Sequence, residues 1–274
     1  MSTNKRPAKR KIWKIAVPVV AVLLAVQWTF IGWRYNFGPM KGLGEMRLSR
    51  MQGNGAEYNF DKIQRLADSP LEGKTVLFLG SSVTNGASSL HNSLPEYFTA
   101  RMGCRSIKEA VDGTTLVDNG SNSYIQRMLT NVDSAEEIGL LVCQLSTNDA
   151  SKKMPLGKLQ GGNNLEAFDT DTVTGAIEYI ICYARKTWNC PVVFYTNARY
   201  DSLEYAAMVD RLHEIAEAQE VGVLDLWTDD SFNTISDADR AIFMYDTIHP
   251  TKAGYRDWWG PELERQLCEY LAEG

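Results

Sequence analysis

Between residues 71 and 274 the chain alternates short, wholly apolar runs with longer stretches whose apolar residues recur every three to four positions. Val76-Leu77-Phe78-Leu79 has no polar residue at alternate positions, so it reads as a strand buried on both faces of a parallel sheet. Strands are predicted at 75–79, about 106–111, 139–145, 191–196 and 222–226. Helices are predicted at about 93–103, 121–131, 172–188, 202–219 and 252–272. In the fourth of these, Tyr205, Met208, Val209, Leu212, Ile215 and Ala216 form one core-facing stripe. Strands alternating with helices are the pattern of βαβ units. The expectation is an α/β fold: a doubly wound α/β/α sandwich on a parallel sheet of about five strands.

A different apolar run stands near the start. From Ile15 to Trp33 only Gln27 and Thr29 are notably polar, and Lys5, Arg6, Lys9, Arg10, Lys11 and Lys14 precede it. At about 1.5 Å per helical residue this run nearly matches a hydrocarbon core of roughly 30 Å. Trp13, Trp28, Trp33 and Tyr35 supply aromatics suited to its two interfaces. A cleaved signal peptide would need a shorter core and a small-x-small site, and none follows Val26. The expected organisation is a basic cytoplasmic tail (1–14), an uncleaved transmembrane signal anchor (15–33), a glycine-rich juxtamembrane stalk (34–70) and one domain (71–274) outside the cytoplasm. The lipid bilayer is then one expected partner.

Charge sharpens this division. Six of the 28 basic residues lie in the first fourteen positions, leaving 22 against 34 acidic residues, a net of −12 for the rest. So acidic a body excludes nucleic acid as a partner, because phosphate binding needs clustered Lys and Arg. The five cysteines, Cys104, Cys143, Cys182, Cys190 and Cys268, include no C-x-x-C and no Cys/His cluster, so no metal or cofactor is expected. Cys143 falls in a buried strand pattern, and the odd count and scattered spacing give a Cys182–Cys190 bridge little support.

Candidate chemistry begins where the first strand ends, at Gly80-Ser81-Ser82, because ligands of open parallel sheets bind at strand carboxyl ends. Elimination among three histidines points to one base. His213 lies on a helix just off its apolar stripe and reads as solvated, and His91 reads as a surface-loop residue. His249 stands in Asp246-Thr247-Ile248-His249-Pro250, where one turn can bring the Asp246 carboxylate to the imidazole. Thr251 is placed to cap the last helix.

Four ordered blocks now stand out: Gly80-Ser81-Ser82-Val83-Thr84, Val111-Asp112-Gly113-Thr114-Thr115, Ser146-Thr147-Asn148-Asp149 and Asp246 to His249. With them the chain resembles the SGNH hydrolases, or GDSL-type lipases and esterases, over nearly all of residues 71–270. The resemblance implies a flavodoxin-like sandwich and a serine nucleophile acting on esters. Carried over by position, Ser82 is the nucleophile, His249 the base and Asp246 its orienter. The oxyanion hole is expected from the backbone N–H of Ser82 and of Gly113 with the Asn148 amide. An unactivated hydroxyl needs such a base, and a tetrahedral intermediate needs such donors. Asp149 is expected to serve as a structural acceptor. Two positions depart from the family pattern: Ser81 replaces the Asp before the serine, making it a rival nucleophile, and Ser146 replaces a glycine beside Asn148. The expected activity is a membrane-anchored extracytoplasmic serine esterase acting on short-chain or acetylated-glycan esters. The alternatives are an O-acyltransferase of the same fold and an inactive binding domain.

Overall fold

The computed structural model describes residues 8–34, 38 and 41–273. The chain divides into two compact units, Met1–Met51 and Gln52–Gly274. The first contains α1 (Ala8–Arg34) and α2 (Lys41–Ser49). Apolar side chains of α1 such as Val22, Leu23 and Phe30 are exposed. Among the described residues no helix is long and apolar enough to cross a membrane, so the fold does not show the span expected over 15–33. Residues 1–7 of the expected basic tail lie outside the described residues.

The second unit is built on five strands: β1 (Thr75–Gly80), β2 (Arg105–Ala110), β3 (Leu140–Gln144), β4 (Val192–Tyr195) and β5 (Gly222–Leu224). All pairings are parallel, in the order β2-β1-β3-β4-β5. The expected sheet is therefore present, with each strand within a few residues of its predicted range. Leu77 and Leu79 of β1 enter one core, with Leu141 and Phe194 and the helices α5 (Tyr124–Asn131), α7 (Val173–Trp188) and α8 (Leu203–Gln219). Val76 and Phe78 enter the other, under α4 (Leu94–Met102) and α12 (Gly260–Glu273). The unbroken apolar run of β1 follows from these two cores, since alternate side chains leave opposite faces of the sheet.

Two features differ from expectation. The C-terminal helix predicted at 252–272 is divided into α11 (Lys252–Gly254), a π-turn at Tyr255–Trp259 and then α12. The π-turn buries Tyr255, Trp258 and Trp259, and the Tyr255 hydroxyl donates to the Val83 carbonyl at 2.6 Å. Residues 52–70, read from sequence as stalk, pack within the second unit, with Phe60 in its core. Gly53 marks close packing there and not a linker, because a Cβ would collide with the Ile242 carbonyl and Thr251 Oγ1. All five cysteines are free, so no Cys182–Cys190 bridge forms.

Candidate active site

β1 ends at Gly80, and the next turn delivers Ser82 as first residue of the short helix α3 (Ser82–Asn85). Only glycine fits at 80, since a Cβ would run into Thr84 Oγ1. The first N–H groups of a helix have no intrahelical acceptor, so the Ser82 N–H is available to a ligand. Ser82 Oγ lies 2.8 Å from His249 Nε2. His249 Nδ1 in turn lies 3.0 Å from both carboxylate oxygens of Asp246. A ring that donates from Nδ1 to a carboxylate must accept at Nε2, which is the tautomer needed to take a proton from Ser82.

Asp246 Oδ1 also accepts from the N–H groups of Ile248 and His249, at 2.9 and 2.8 Å, so the turn that brings acid to base also holds it there. Burial opposes the charge on Asp246. The His249 interaction and the two backbone N–H groups outweigh it and hold the carboxyl down at about 2. Asp246 is therefore ionised at neutral pH.

The other two expected residues come from neighbouring strand ends. β2 leads to Gly113, whose φ of +77° is the left-handed region that favours glycine. Its carbonyl accepts from Lys152 Nζ at 2.7 Å. β3 leads to α6 (Thr147–Ser151), which carries Asn148 in its first turn. Asn148 Nδ2 donates to the Thr114 carbonyl at 2.9 Å, which spends one of its two amide hydrogens and leaves the other. Ser146 caps α6, its hydroxyl accepting from the Asp149 N–H at 3.3 Å. Asp149 accepts from the N–H groups of Leu116 and Val117 at 2.8 and 3.0 Å, the structural part expected of it. Ser82, Gly113 and Asn148 thus follow three adjacent strands, and β1 and β3 flank the point where strand order reverses.

A family model described as GDSL-like lipase/acylhydrolase matches residues 78–256. The chain belongs to this family. It is accordingly a carboxylic ester hydrolase. No curated protein matches the chain. Among solved structures, it is similar to a protein from Lactobacillus plantarum at 19% identity, with 74% of this chain and 98% of that one covered and a TM-score of 0.56. An acetyl xylan esterase is similar at 16% identity, covering 71% and 98%, with a TM-score of 0.52. A family two carbohydrate esterase from Clostridium thermocellum, solved with cellohexaose, is similar at 15%, covering 76% and 66%, with a TM-score of 0.51. Likenesses at this identity concern the fold.

Ser81, the departure from the GDSL pattern beside Ser82, has different surroundings. Ser81 is fully buried and faces Gln144, whose Oε1 accepts from the Ser81 N–H at 2.9 Å and from Thr84 Oγ1 at 2.9 Å. Thr84 Oγ1 in turn lies 2.6 Å from the Tyr195 hydroxyl. Gln144 therefore supplies, from β3, an acceptor beneath the Ser81-Ser82 turn where the family carries an Asp in the turn itself.

Two further supports were not legible in the motifs. Arg127, buried on α5, donates through Nη2 to the Gly80 carbonyl at 2.7 Å and to Thr114 Oγ1 at 3.2 Å. It thereby ties the serine turn to the glycine loop. Asn54, 3% exposed, donates through Nδ2 to the Ser88 carbonyl and accepts at Oδ1 from the Lys252 N–H, each at 2.9 Å. It bridges the loop after the serine to the residue three beyond the histidine. The only local signal was that Gly53 and Gly55 flank it.

The remaining histidines stand apart from this chain of contacts. His91 is exposed, its Nδ1 3.3 Å from the Asn85 carbonyl. His213, expected to be simply solvated, is half-exposed with Nε2 2.9 Å from Asp225 Oδ2. Among the described residues no cluster of His, Cys, Asp and Glu could hold a metal ion.

Proposed function

We propose that the chain hydrolyses carboxylic esters through Ser82, His249 and Asp246, and the observation that carries this reading is the unbroken hydrogen-bonded chain from Ser82 Oγ to the Asp246 carboxylate. Ser82 Oγ attacks the ester carbonyl carbon while His249 Nε2 takes its proton. The carbonyl oxygen becomes an oxyanion, met by the N–H groups of Ser82 and Gly113 and the free hydrogen of the Asn148 amide. Collapse breaks the bond to the alcohol, which leaves with the proton from His249, and an acyl-Ser82 remains. Water, deprotonated by His249, then attacks the acyl carbon and releases the acid and free Ser82. Ionised Asp246 stabilises the imidazolium at both stages.

Short-chain or acetylated-glycan esters are the proposed substrates. The apolar run 15–33 with its basic flank supports a membrane anchor with the hydrolase outside the cytoplasm. Resistance of the protein to alkaline carbonate extraction from membranes checks the anchor, and release into the supernatant contradicts it. For the chemistry, hydrolysis of p-nitrophenyl acetate is measured in Ser82→Ala, His249→Ala and His213→Ala. Loss in the first two with near-parental rate in the third is expected. Near-parental activity in His249→Ala removes the proposed mechanism.

A further inference from the structure

The strand ends on the far side of the histidine loop enclose a second feature. A cavity of about 650 Å³ opens between the segment after β4 and the segment after β5, bordered by Arg199, Tyr200, Leu203, Trp227, Asp230 and Arg240. Its volume is that of a small-molecule site. None of the triad residues lines it.

The walls have a definite chemistry. Tyr200 and Trp227 are set edge to face with centroids 5.3 Å apart, and both pack on Tyr205, which makes a stiff aromatic side. Leu203 extends that side outward and is 85% exposed. The opposite side is polar and planar. Arg199 pairs with Asp230 at 2.7 Å and donates through Nε to the Trp227 carbonyl at 3.0 Å. Arg240, which also borders the cavity, lies over Trp258 and donates through Nη2 to the Asn233 carbonyl at 3.2 Å. Asp201 also borders the cavity, so two arginines face two aspartates and the lining carries no net charge.

We infer that this cavity binds a neutral oligosaccharide. A sugar ring has apolar C–H faces and an equator of hydroxyls that both donate and accept. Aromatic and leucine walls cover the faces, while paired guanidinium and carboxylate groups meet the hydroxyls from both sides. A fatty chain would leave the Arg199–Asp230 side with no group to hydrogen-bond. An anionic glycan would gain nothing from a neutral lining and would be repelled by a body of net charge −12.

The cavity is coupled to the site by position. Asn197, at the end of β4, donates through Nδ2 to the Ile248 carbonyl at 3.0 Å, and the Asn197 N–H donates to the Tyr205 hydroxyl at 2.9 Å. The helix carrying Arg240, α10 (Asp237–Phe243), runs directly into the Asp246–His249 turn. A glycan held here is linked to the histidine turn through Asn197 and α10. The use of the cavity in catalysis rests on the hydrolase reading above, whereas binding itself does not.

Binding is therefore measured in the full chain carrying Ser82→Ala, by quenching of tryptophan fluorescence with xylohexaose and cellohexaose and with an oligogalacturonate of similar length. Saturable quenching by a neutral hexaose, at least tenfold tighter than by the acidic one, is expected. Asp230→Ala and Leu203→Glu, both at exposed positions, should each weaken it at least fivefold, and Tyr200→Ala should weaken it further. No saturable binding, preference for the acidic oligomer, or binding indifferent to Asp230→Ala and Leu203→Glu overturns the inference. Binding that follows these variants in a protein without ester hydrolysis would retain the site and reject the hydrolase mechanism instead.

Discussion

Asp246→Asn leaves the turn nearly the same shape but removes the charge that sets the imidazole tautomer. A fall in kcat of about 10⁴ is expected, with KM little changed. Asn148→Ala removes one oxyanion donor, and kcat should fall about 10²–10³-fold. Steady-state kinetics on one short-chain ester checks both. Linkage adds pH signatures. Because the folded Asp246 carboxyl is held down at about 2, its contribution to stability is present above the ordinary carboxylate range and is lost as pH falls toward 2. His213 behaves oppositely. Its hydrogen bond to Asp225 raises its pKa against the effect of burial, so its contribution is complete below about 6.5 and is lost as pH rises through the folded value. The Tm difference between parent and His213→Gln should be larger at pH 5.5 than at pH 8.5, and an equal difference contradicts the pairing. The residues proposed to react were legible as candidates because each sits in a short block whose spacing is itself the signal. Asn54, Gln144 and Arg127 were not, since each acts on residues tens of positions away and has no chemistry of its own to announce.

At the scale of elements, β1, β3 and β4 were legible because burial on both faces removes polar alternation, a pattern hard to mistake when flanked by helical periods, whereas the edge strand β2 is polar and only partly buried. The short helices α3 and α6 were not, because one turn is shorter than any periodicity. They matter more than their length suggests: Ser82, the proposed nucleophile, is the first residue of α3, and Asn148, the proposed oxyanion donor, is the second of α6. The segment 52–62 was misread because glycines and polar residues look alike in a linker and in a tightly packed strap. Its role can be checked by truncation. A chain starting at Gln52 should keep the Tm of the second unit, and one starting at Ile63 should lose it markedly, having lost Phe60, Asn54 and the Asn59 contact to Lys252 Nζ at 2.7 Å. Within the strap, Asn54→Ala should cost about 1–3 kcal/mol, because the buried Lys252 N–H and Ser88 carbonyl lose their partner. Equal melting of the two truncated chains would return the segment to a linker.

For the whole molecule, the strand order β2-β1-β3-β4-β5 explains why residues from four distant blocks meet. Parallel strands place all their carboxyl ends on one side, and the reversal between β1 and β3 opens a crevice there. The serine, glycine and asparagine loops lie at adjacent ends, the histidine turn joins them from the C-terminal region, and the glycan cavity extends the same edge past β4 and β5. Sequence alone gave the blocks and their order. Block alignment favours Ser82 over Ser81. The distance from either hydroxyl to the base, however, depends on the direction the turn imposes, which here sets Ser82 Oγ 2.8 Å from His249 Nε2. That choice is also the most direct test of the mechanism. The full chain is treated with a fluorophosphonate and the adduct mapped by peptide mass spectrometry, with Ser81→Ala, Ser82→Ala and His249→Ala alongside. We expect a single adduct on Ser82, retained in Ser81→Ala, absent in Ser82→Ala and formed at least a hundredfold more slowly in His249→Ala. An adduct on Ser81, or labelling of Ser82 at the parental rate without His249, would contradict it.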